Sequence, residues 1–320
     1  MDEVVLKVES LRVDTQDGAG NPVAIIEDVS FSLARGEVLG VVGESGSGKS
    51  ITALSAMRLV PEVLRQSGSI QVQGREVMTL SERELRRLRG TQVSMVFQDP
   101  MTGLNPVRTV GSMLGEALRR HRKLSRGEAR RLAIDALHAV GIPSPELRIK
   151  AYPHQLSGGL RQRVMIAMAL LHDPAVIIAD EPTTALDATI QAQIIDLMRS
   201  RVTNAGLILI THDLGVAGQI CDRIIVMYAG HIVEEGAALD LLSHPSHPYT
   251  AGLLAAAPRF DRERKPLVPI PGSPPTPADR PAGCPFAARC LYATDICREQ
   301  RPELSAGQSS TVACWNPLSA

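Results

Sequence analysis

One octapeptide of the sequence, GESGSGKS at residues 43–50, has the residue types and spacing needed to bind a phosphate chain. It follows the apolar run Val38–Val42 and precedes a helical pattern, which is the context that this spacing requires. Its glycines allow close backbone approach, while successive N–H groups and the following helix N-terminus attract phosphate. We expect Lys49 to reach the terminal phosphates and the Ser50 hydroxyl to bind Mg²⁺. The predicted phosphate-binding residues are Gly43, Ser45, Gly46, Gly48, Lys49, Ser50 and Ile51.

A second polar site follows the apolar run at residues 176–179, which ends in Asp180 and Glu181. In phosphate-loop ATPases, an aspartate at such a strand end holds Mg²⁺, usually through water. The adjacent Glu181 is then placed to orient the water that attacks the γ-phosphate. A strand followed by Asp-Glu is by itself common, so this prediction depends on the phosphate loop being present.

Three further motifs narrow the chemistry. Gln98 follows the strand-like run that ends at Phe97, and His212 follows the apolar run at residues 207–210. The segment LSGGL at residues 156–160 precedes a helical pattern. Ser157 there is a suitable first residue for a helix, and the two glycines that follow permit an anion to approach its N-terminus.

These motifs, with Ala185-Leu186-Asp187, resemble those of the ATP-binding-cassette family, in the family's order over about residues 4–240. The resemblance implies that ATP lies between two cassettes and that Gln98 contacts Mg²⁺ and signals to a membrane partner. It also implies that His212 contacts the γ-phosphate. The catalytic residues that the resemblance implies are Lys49, Gln98, Glu181 and His212. The implied Mg²⁺ ligands are Ser50, Gln98 and Asp180. Further contacts with the nucleotide are implied for Ser157, Gly158, Gly159 and Asp187.

Two positions depart from the family pattern. The signature ends in Leu160, where glutamine is common, although an apolar residue there also resembles the peptide-transporter branch. No aromatic residue precedes Phe31, so the usual stacking partner for adenine is missing and base selectivity stays open.

The pattern of apolar runs predicts an α/β fold. Continuous runs suit strands that are buried on both faces of a parallel sheet, whereas Val4–Val13 alternates as an outer antiparallel strand does. Ser125 and Glu128 have the spacing of a capping box at the start of an amphipathic helix. We therefore expect a phosphate-loop cassette over residues 1–242, with a mainly parallel core sheet, an antiparallel outer β-part and a helical subdomain inserted at about residues 100–160.

The remaining residues, 243–320, are predicted to form a loop-rich extension. Its segments HPYT at 247–250 and GCPFAARC at 283–290 resemble the ATPase subunits of dipeptide, oligopeptide and nickel importers. That resemblance implies a subunit at the cytoplasmic face of the inner membrane, working with two transmembrane permeases and an extracytoplasmic solute-binding protein. A second cassette, expected to be a paralogue, completes the assembly, and the transported solute is left open.

Four of the five cysteines lie in this extension, at Cys284, Cys290, Cys297 and Cys314. No pair has the two-residue gap of a zinc ribbon, but four thiolates in a loop-rich segment can share one metal centre. The importer branch implies a 4Fe–4S cluster with a structural role. Zinc and free or oxidised thiols remain the alternatives.

Charge and hydropathy argue against a nucleic-acid-binding protein and against a membrane-spanning chain. Lys plus Arg and Asp plus Glu are both 34 in the 320 residues, which argues against a nucleic-acid partner. The longest apolar run, Val164–Leu171, is far shorter than the ~20 residues of a membrane span, and no signal peptide follows Met1. A cluster-gated redox or iron sensor and a nucleic-acid-handling cassette ATPase remain as alternative functions.

Overall fold

The computed structural model describes residues 3–99, 103–183, 188–200, 202–256, 268–307 and 309–318. The chain divides into two compact units. The first comprises residues 1–6, 33–36 and 72–208, and the second comprises residues 7–32, 37–71 and 209–320. Four of the five points of division lie within strands: β1 (Val4–Gln16), β2 (Pro22–Ala34), β4 (Arg65–Val72) and β8 (Gly206–Ile210).

The first unit combines short strands with a group of helices. Its strands are β5 (Arg75–Glu76), β6 (Val93–Val96) and β7 (Val176–Asp180). Its helices are α2 (Glu82–Leu88), α3 (Val110–His121), α4 (Arg126–Ala139), α5 (Pro145–Arg148), α6 (Gly158–Leu170) and α7 (Ala188–Arg199), with 3-10 turns at Pro153–Gln155 and Val202–Asn204. Strands β6 and β7 are parallel, with Val93 beside Val176, and β8 follows β7 in the sheet.

Local sequence signals account for the helix starts in this unit. Ser125 accepts a hydrogen bond from the Glu128 N–H at 3.2 Å, and the Glu128 carboxylate accepts from the Ser125 N–H at 2.8 Å. The predicted capping box of α4 is therefore confirmed. Every residue of β7 is buried, as expected for a strand covered on both faces.

The second unit contains the phosphate-loop segment and the C-terminal extension (residues 243–320). Its further strands are β3 (Val38–Val42), β9 (Arg223–Tyr228), β10 (His231–Ala237), β11 (Ser305–Ala306) and β12 (Ser310–Val312). Its helices are α1 (Lys49–Ser55), α8 (Leu214–Ile220), α9 (Ala238–Ser243), α10 (Pro248–Ala256) and α11 (Asp295–Glu299), with 3-10 turns at Pro277–Asp279 and Ala287–Arg289.

The extension contributes strands to the sheet of the second unit, which the sequence did not predict. The strand order is β11–β12–β10–β9–β3, in which β3 and β9 are parallel and the other neighbours are antiparallel. Glu234 of β10 lies opposite Val312 of β12. The expected cassette boundary near residue 242 stays a prediction. Among the described residues, no helix is long and apolar enough to cross a membrane.

A buried carboxylate joins the extension to β10. Glu234 is fully buried and accepts hydrogen bonds from the Ser246 N–H at 2.7 Å, the His247 N–H at 3.0 Å and the Ser310 hydroxyl at 2.8 Å. Burial of a carboxylate is favourable only when its oxygens are paired in this way. Glu234 thus accepts hydrogen bonds from three buried donors that lie in two separate parts of the extension.

We predict that Glu234→Ala lowers the free energy of unfolding of this unit by about 3 kcal/mol, because it leaves buried donors without an acceptor. Urea unfolding followed by the fluorescence of Trp315, the single tryptophan, measures the change. Glu303→Ala, at an exposed position of the same unit, is the control and should stay within about 0.5 kcal/mol of the unmodified chain. Equal midpoints for both variants would contradict the role assigned to Glu234.

Candidate functional site

The phosphate loop is a tight turn between β3 and α1. Gly43 has φ of 150°, and a Cβ atom there would lie 2.2 Å from the Met227 carbonyl oxygen. Gly48, with φ of 103°, immediately precedes α1. Only glycine accepts both the backbone angles and the contact at residue 43, so the loop can curl closely enough to wrap an anion.

Lys49 and Ser50 occupy the first turn of α1, as the motif requires. Lys49 is buried, and its Nζ donates hydrogen bonds to the carbonyl oxygens of Gly43 at 2.8 Å and Glu44 at 2.9 Å. Ser50 and Ile51 are half-buried, whereas Ser45 and Gly46 are exposed at the tip of the loop. The second unit therefore brings the whole predicted phosphate-binding set into one turn.

His212 belongs to the same unit and is separated from the end of β8 by Thr211. The Thr211 N–H donates to the Val41 carbonyl oxygen at 3.2 Å, which ties the end of this strand to β3. The next residue, Asp213, accepts from the Gly215 N–H at 2.8 Å and the Val216 N–H at 3.1 Å, and so caps α8. His212 is exposed between these two anchored residues, as a residue that meets a ligand must be.

The first unit brings together Gln98 and Glu181. The Gln98 Nε2 donates to the Glu181 Oε2 at 2.8 Å. Asp180 is buried as the last residue of β7, and Glu181 follows it with φ of 44°. A glutamate in this left-handed region is strained, and such strain is concentrated at functional sites because the surrounding structure must enforce it.

The signature segment forms the start of α6 in the first unit. Ser157 is the N-cap residue, and its hydroxyl accepts from the Leu160 N–H at 3.4 Å. The departure at Leu160 thus leaves the cap intact, because it uses only the backbone of that residue. A Cβ atom on Gly159 would lie 3.0 Å from Ile190, so the helix and α7 approach closely there. Ser157 and Gly158 are exposed, while Asp187 lies outside the described residues.

None of the five cysteines, all of which are described, forms a disulfide. The four in the extension line one small cavity together with side chains that include His247, Phe286 and Trp315. Burial raises the pKa of the Cys314 thiol to about 11 and also raises the pKa of Cys284 and Cys290. Within the described ranges, no group of three or more His, Cys, Asp or Glu side chains is spaced to hold a metal ion. The expected metal centre is therefore not confirmed, although its four predicted residues converge.

Two residues of the extension that the sequence did not identify contact the phosphate loop. Tyr249, which belongs to the segment HPYT, places its hydroxyl 2.8 Å from the Glu44 backbone nitrogen. Arg289 pairs with the Glu44 carboxylate at 2.6 Å. These contacts join positions more than 200 residues apart, so no local spacing could have identified them.

Known proteins resemble both parts of the chain. The family model described as ABC transporter matches residues 26–184. The model described as the C-terminal region of oligopeptide/dipeptide transporters matches residues 233–297. The dipeptide transport ATP-binding protein DppD of Bacillus subtilis is 49% identical over 98% of this chain and 95% of its own length. The oligopeptide transport ATP-binding protein OppD of Salmonella typhimurium is also 49% identical, over 98% of this chain and 94% of its own.

Solved structures support the same assignment at lower identity. The ATP-binding cassette MJ0796, solved as a dimer bound to ADP and phosphate, is 27% identical with a TM-score of 0.64, over 73% of this chain and 98% of its own. The cbiO1 protein of Clostridium perfringens, part of the ABC transporter complex cbiONQ, is 28% identical with a TM-score of 0.62, over 76% of this chain and 92% of its own. This chain belongs to the ABC transporter family of ATP-binding proteins, in the branch that contains DppD and OppD.

Proposed function

We propose that this chain hydrolyses ATP to power a membrane importer of dipeptides or oligopeptides. The observation that carries the proposal is the similarity to DppD and OppD over 98% of the chain, which includes the C-terminal region as well as the cassette. These relatives do not favour a redox sensor or a nucleic-acid-handling ATPase. Nickel remains a less supported solute, because the printed names of the similar proteins refer to peptides.

The roles of the nucleotide residues are part of this proposal. In the second unit, Lys49 and the loop N–H groups bind the terminal phosphates, Ser50 supplies a hydroxyl to Mg²⁺, and His212 contacts the γ-phosphate. In the first unit, Asp180 and Gln98 bind Mg²⁺, and Glu181 is the general base for the water that attacks the γ-phosphate. The hydrogen bond between Gln98 and Glu181 supports the last role, because it fixes the carboxylate that must receive a proton. Bound Mg²⁺ would supply charge stabilisation on the phosphates.

The partners follow from the same proposal. A chain that couples ATP to transport needs two permease subunits and an extracytoplasmic solute-binding protein, and we place it at the cytoplasmic face of the inner membrane. Ser157, Gly158 and Gly159, exposed or half-buried at the start of α6, together with Asp187, would meet the ATP of a second cassette. The dimeric MJ0796 structure supports such pairing. We expect the second cassette to be a paralogue of this chain.

We further propose that Cys284, Cys290, Cys297 and Cys314 hold a 4Fe–4S cluster. Support comes from the single cavity that all four line. Each thiolate of such a cluster binds a different iron, so four cysteines around one cavity supply the number of ligands that a 4Fe–4S cluster needs. A bound cluster would cross-link separate segments of the extension. It would also supply the positive charge that stabilises thiolates in a buried site.

We predict that Glu181→Gln lowers kcat for ATP hydrolysis at least ~100-fold, while the Kd for ATP stays within about threefold. The amide keeps the size of the side chain and can still accept from Gln98, so only the basicity is lost. Phosphate release and calorimetric ATP binding measure the two quantities. Glu146→Gln, at an exposed position of the same unit, is the matched control. Turnover above half of the unmodified rate in Glu181→Gln would assign the base elsewhere.

The transport proposal is tested by affinity purification of the tagged chain from native membranes, with co-purifying proteins identified by mass spectrometry. We expect two multi-span permeases, a second cassette ATPase and a solute-binding protein. Binding assays with that solute-binding protein, using dipeptides, longer peptides and Ni²⁺, then identify the solute. Recovery of ribosomal or DNA-associated proteins without a permease would overturn the transport role.

For the cysteines, we predict that the chain purified without oxygen contains iron and acid-labile sulfide, and that Cys284→Ser and Cys297→Ser each lose most of both. Cys221→Ser changes a buried thiol outside the extension and should keep the full content. Iron analysis and visible absorption measure the result. An unmodified chain that holds zinc, or no metal after anaerobic reconstitution, would refute the cluster.

A further inference from the structure

The second residue of the phosphate loop, Glu44, is held from two directions by the C-terminal extension. Its backbone N–H donates to the Tyr249 hydroxyl at 2.8 Å. Its carboxylate accepts from both terminal nitrogens of Arg289, at 2.6 Å and 3.0 Å. The bidentate pair with Arg289 fixes both the distance and the orientation of the Glu44 carboxylate. Together with the hydrogen bond to Tyr249, it constrains the backbone and the side chain of Glu44.

Arg289 is itself immobilised. Its side chain is only 5% exposed, its Nε donates to the Pro271 carbonyl oxygen at 2.8 Å, and one terminal nitrogen lies 3.2 Å from the Tyr228 hydroxyl. The guanidinium also lies 5.7 Å from the centre of the Tyr228 ring, within the range of a cation–π contact. The hydrogen bond to Glu44 is the largest of the effects that raise the pKa of Arg289. Arg289 is therefore a permanent, fixed positive charge beside the phosphate loop.

Tyr249 is equally well anchored. It is fully buried, and its ring packs against Tyr228 with centroids 4.6 Å apart and against Phe286 with centroids 5.3 Å apart. Its N–H donates to the His247 Nδ1 at 3.0 Å. Burial lowers the pKa of His247 to about 3, so this ring is neutral and can accept at ordinary pH. The hydroxyl that meets Glu44 thus has a fixed position.

Glu44 poses an electrostatic problem for the loop. A carboxylate at this position repels the triphosphate that the loop must receive, and it offers a competing partner for the Lys49 ammonium. Lys49 instead contacts the backbone carbonyl oxygens of Gly43 and Glu44. Pairing with Arg289 neutralises the carboxylate and directs it toward the extension.

We propose that Arg289 and Tyr249 are positioning residues for ATP binding, in which Arg289 neutralises the Glu44 carboxylate and Tyr249 fixes the Glu44 backbone. The extension thereby completes the phosphate loop from outside the cassette motifs. This role requires only that the chain binds ATP, so it stands or falls separately from the identity of the transported solute and from the cysteine cluster.

The test is a double-mutant cycle read out as the Kd for ATP of the purified full chain by calorimetry. We expect Arg289→Met to raise the Kd about tenfold or more, because it leaves a carboxylate uncompensated beside bound phosphate. Adding Glu44→Gln to this variant removes the uncompensated charge and should restore the Kd to within about threefold of the unmodified value. A double variant as weak as Arg289→Met, or a single variant within about twofold of the unmodified chain, would overturn the proposal.

Two further variants separate positioning from folding. Arg298→Met removes an exposed arginine of the same extension, which pairs with the exposed Asp295, and should leave the Kd unchanged. If Arg289→Met does not fold, Tyr249→Phe tests the proposal alone: loss of one hydroxyl should raise the Kd about threefold to tenfold. In the assembled importer, each weakened variant should raise KM for ATP and spare kcat. An unchanged Kd in Tyr249→Phe would refute the role of its hydroxyl.

Discussion

The close approach of the phosphate loop to the end of β9 is the constraint on which the second unit depends. Gly43 lies so near the Met227 carbonyl oxygen that no side chain fits, and the Gly230 N–H donates to the Ser47 carbonyl oxygen at 3.0 Å. The turn that follows β9 is therefore part of the wall that shapes the loop. Any element that fixes the position of β9 therefore also fixes the position of the phosphate loop. Distant parts of the chain can constrain the loop in this way without touching it.

The C-terminal extension is the element that contacts β9 and the adjacent strand β10. Tyr228, at the end of β9, packs against Tyr249 and Phe286, and Glu234 of β10 collects donors from both ends of the extension. The extension thus gains an apolar core and a sheet edge from strands that the loop already requires. A segment with little periodicity of its own can fold in this way, because β9 and β10 supply apolar and polar partners for its side chains.

The motifs were predictable from the sequence because phosphate chemistry restricts residue type at short spacing. Gly43, Lys49 and Ser50 lie in one turn as expected, and Gln98 meets Glu181 although 83 positions separate them, since both follow strands that are neighbours in the sheet. The contacts of Glu44 with Tyr249 and Arg289 were not predictable, because the sequence around a tyrosine or an arginine does not indicate which distant residue it contacts. One overlooked signal was composition: five of the nine aromatic residues lie beyond residue 242, too many for a segment without a core.

The position of Arg289 links the cysteines to the phosphate loop in physical terms. Arg289 ends the short turn Ala287–Arg289, which lies between Cys284 and Cys290 and whose backbone hydrogen bonds involve both cysteines. The Cys284 N–H also donates to the Cys297 carbonyl oxygen at 2.8 Å, which joins this turn to α11. Backbone hydrogen bonds therefore connect the turn that carries Arg289 to Cys284 and Cys290, and Cys284 to Cys297. The Arg289 side chain is 5% exposed and the Glu44 side chain 27% exposed, so this ion pair is partly buried and is favourable only with the geometry that the turn provides.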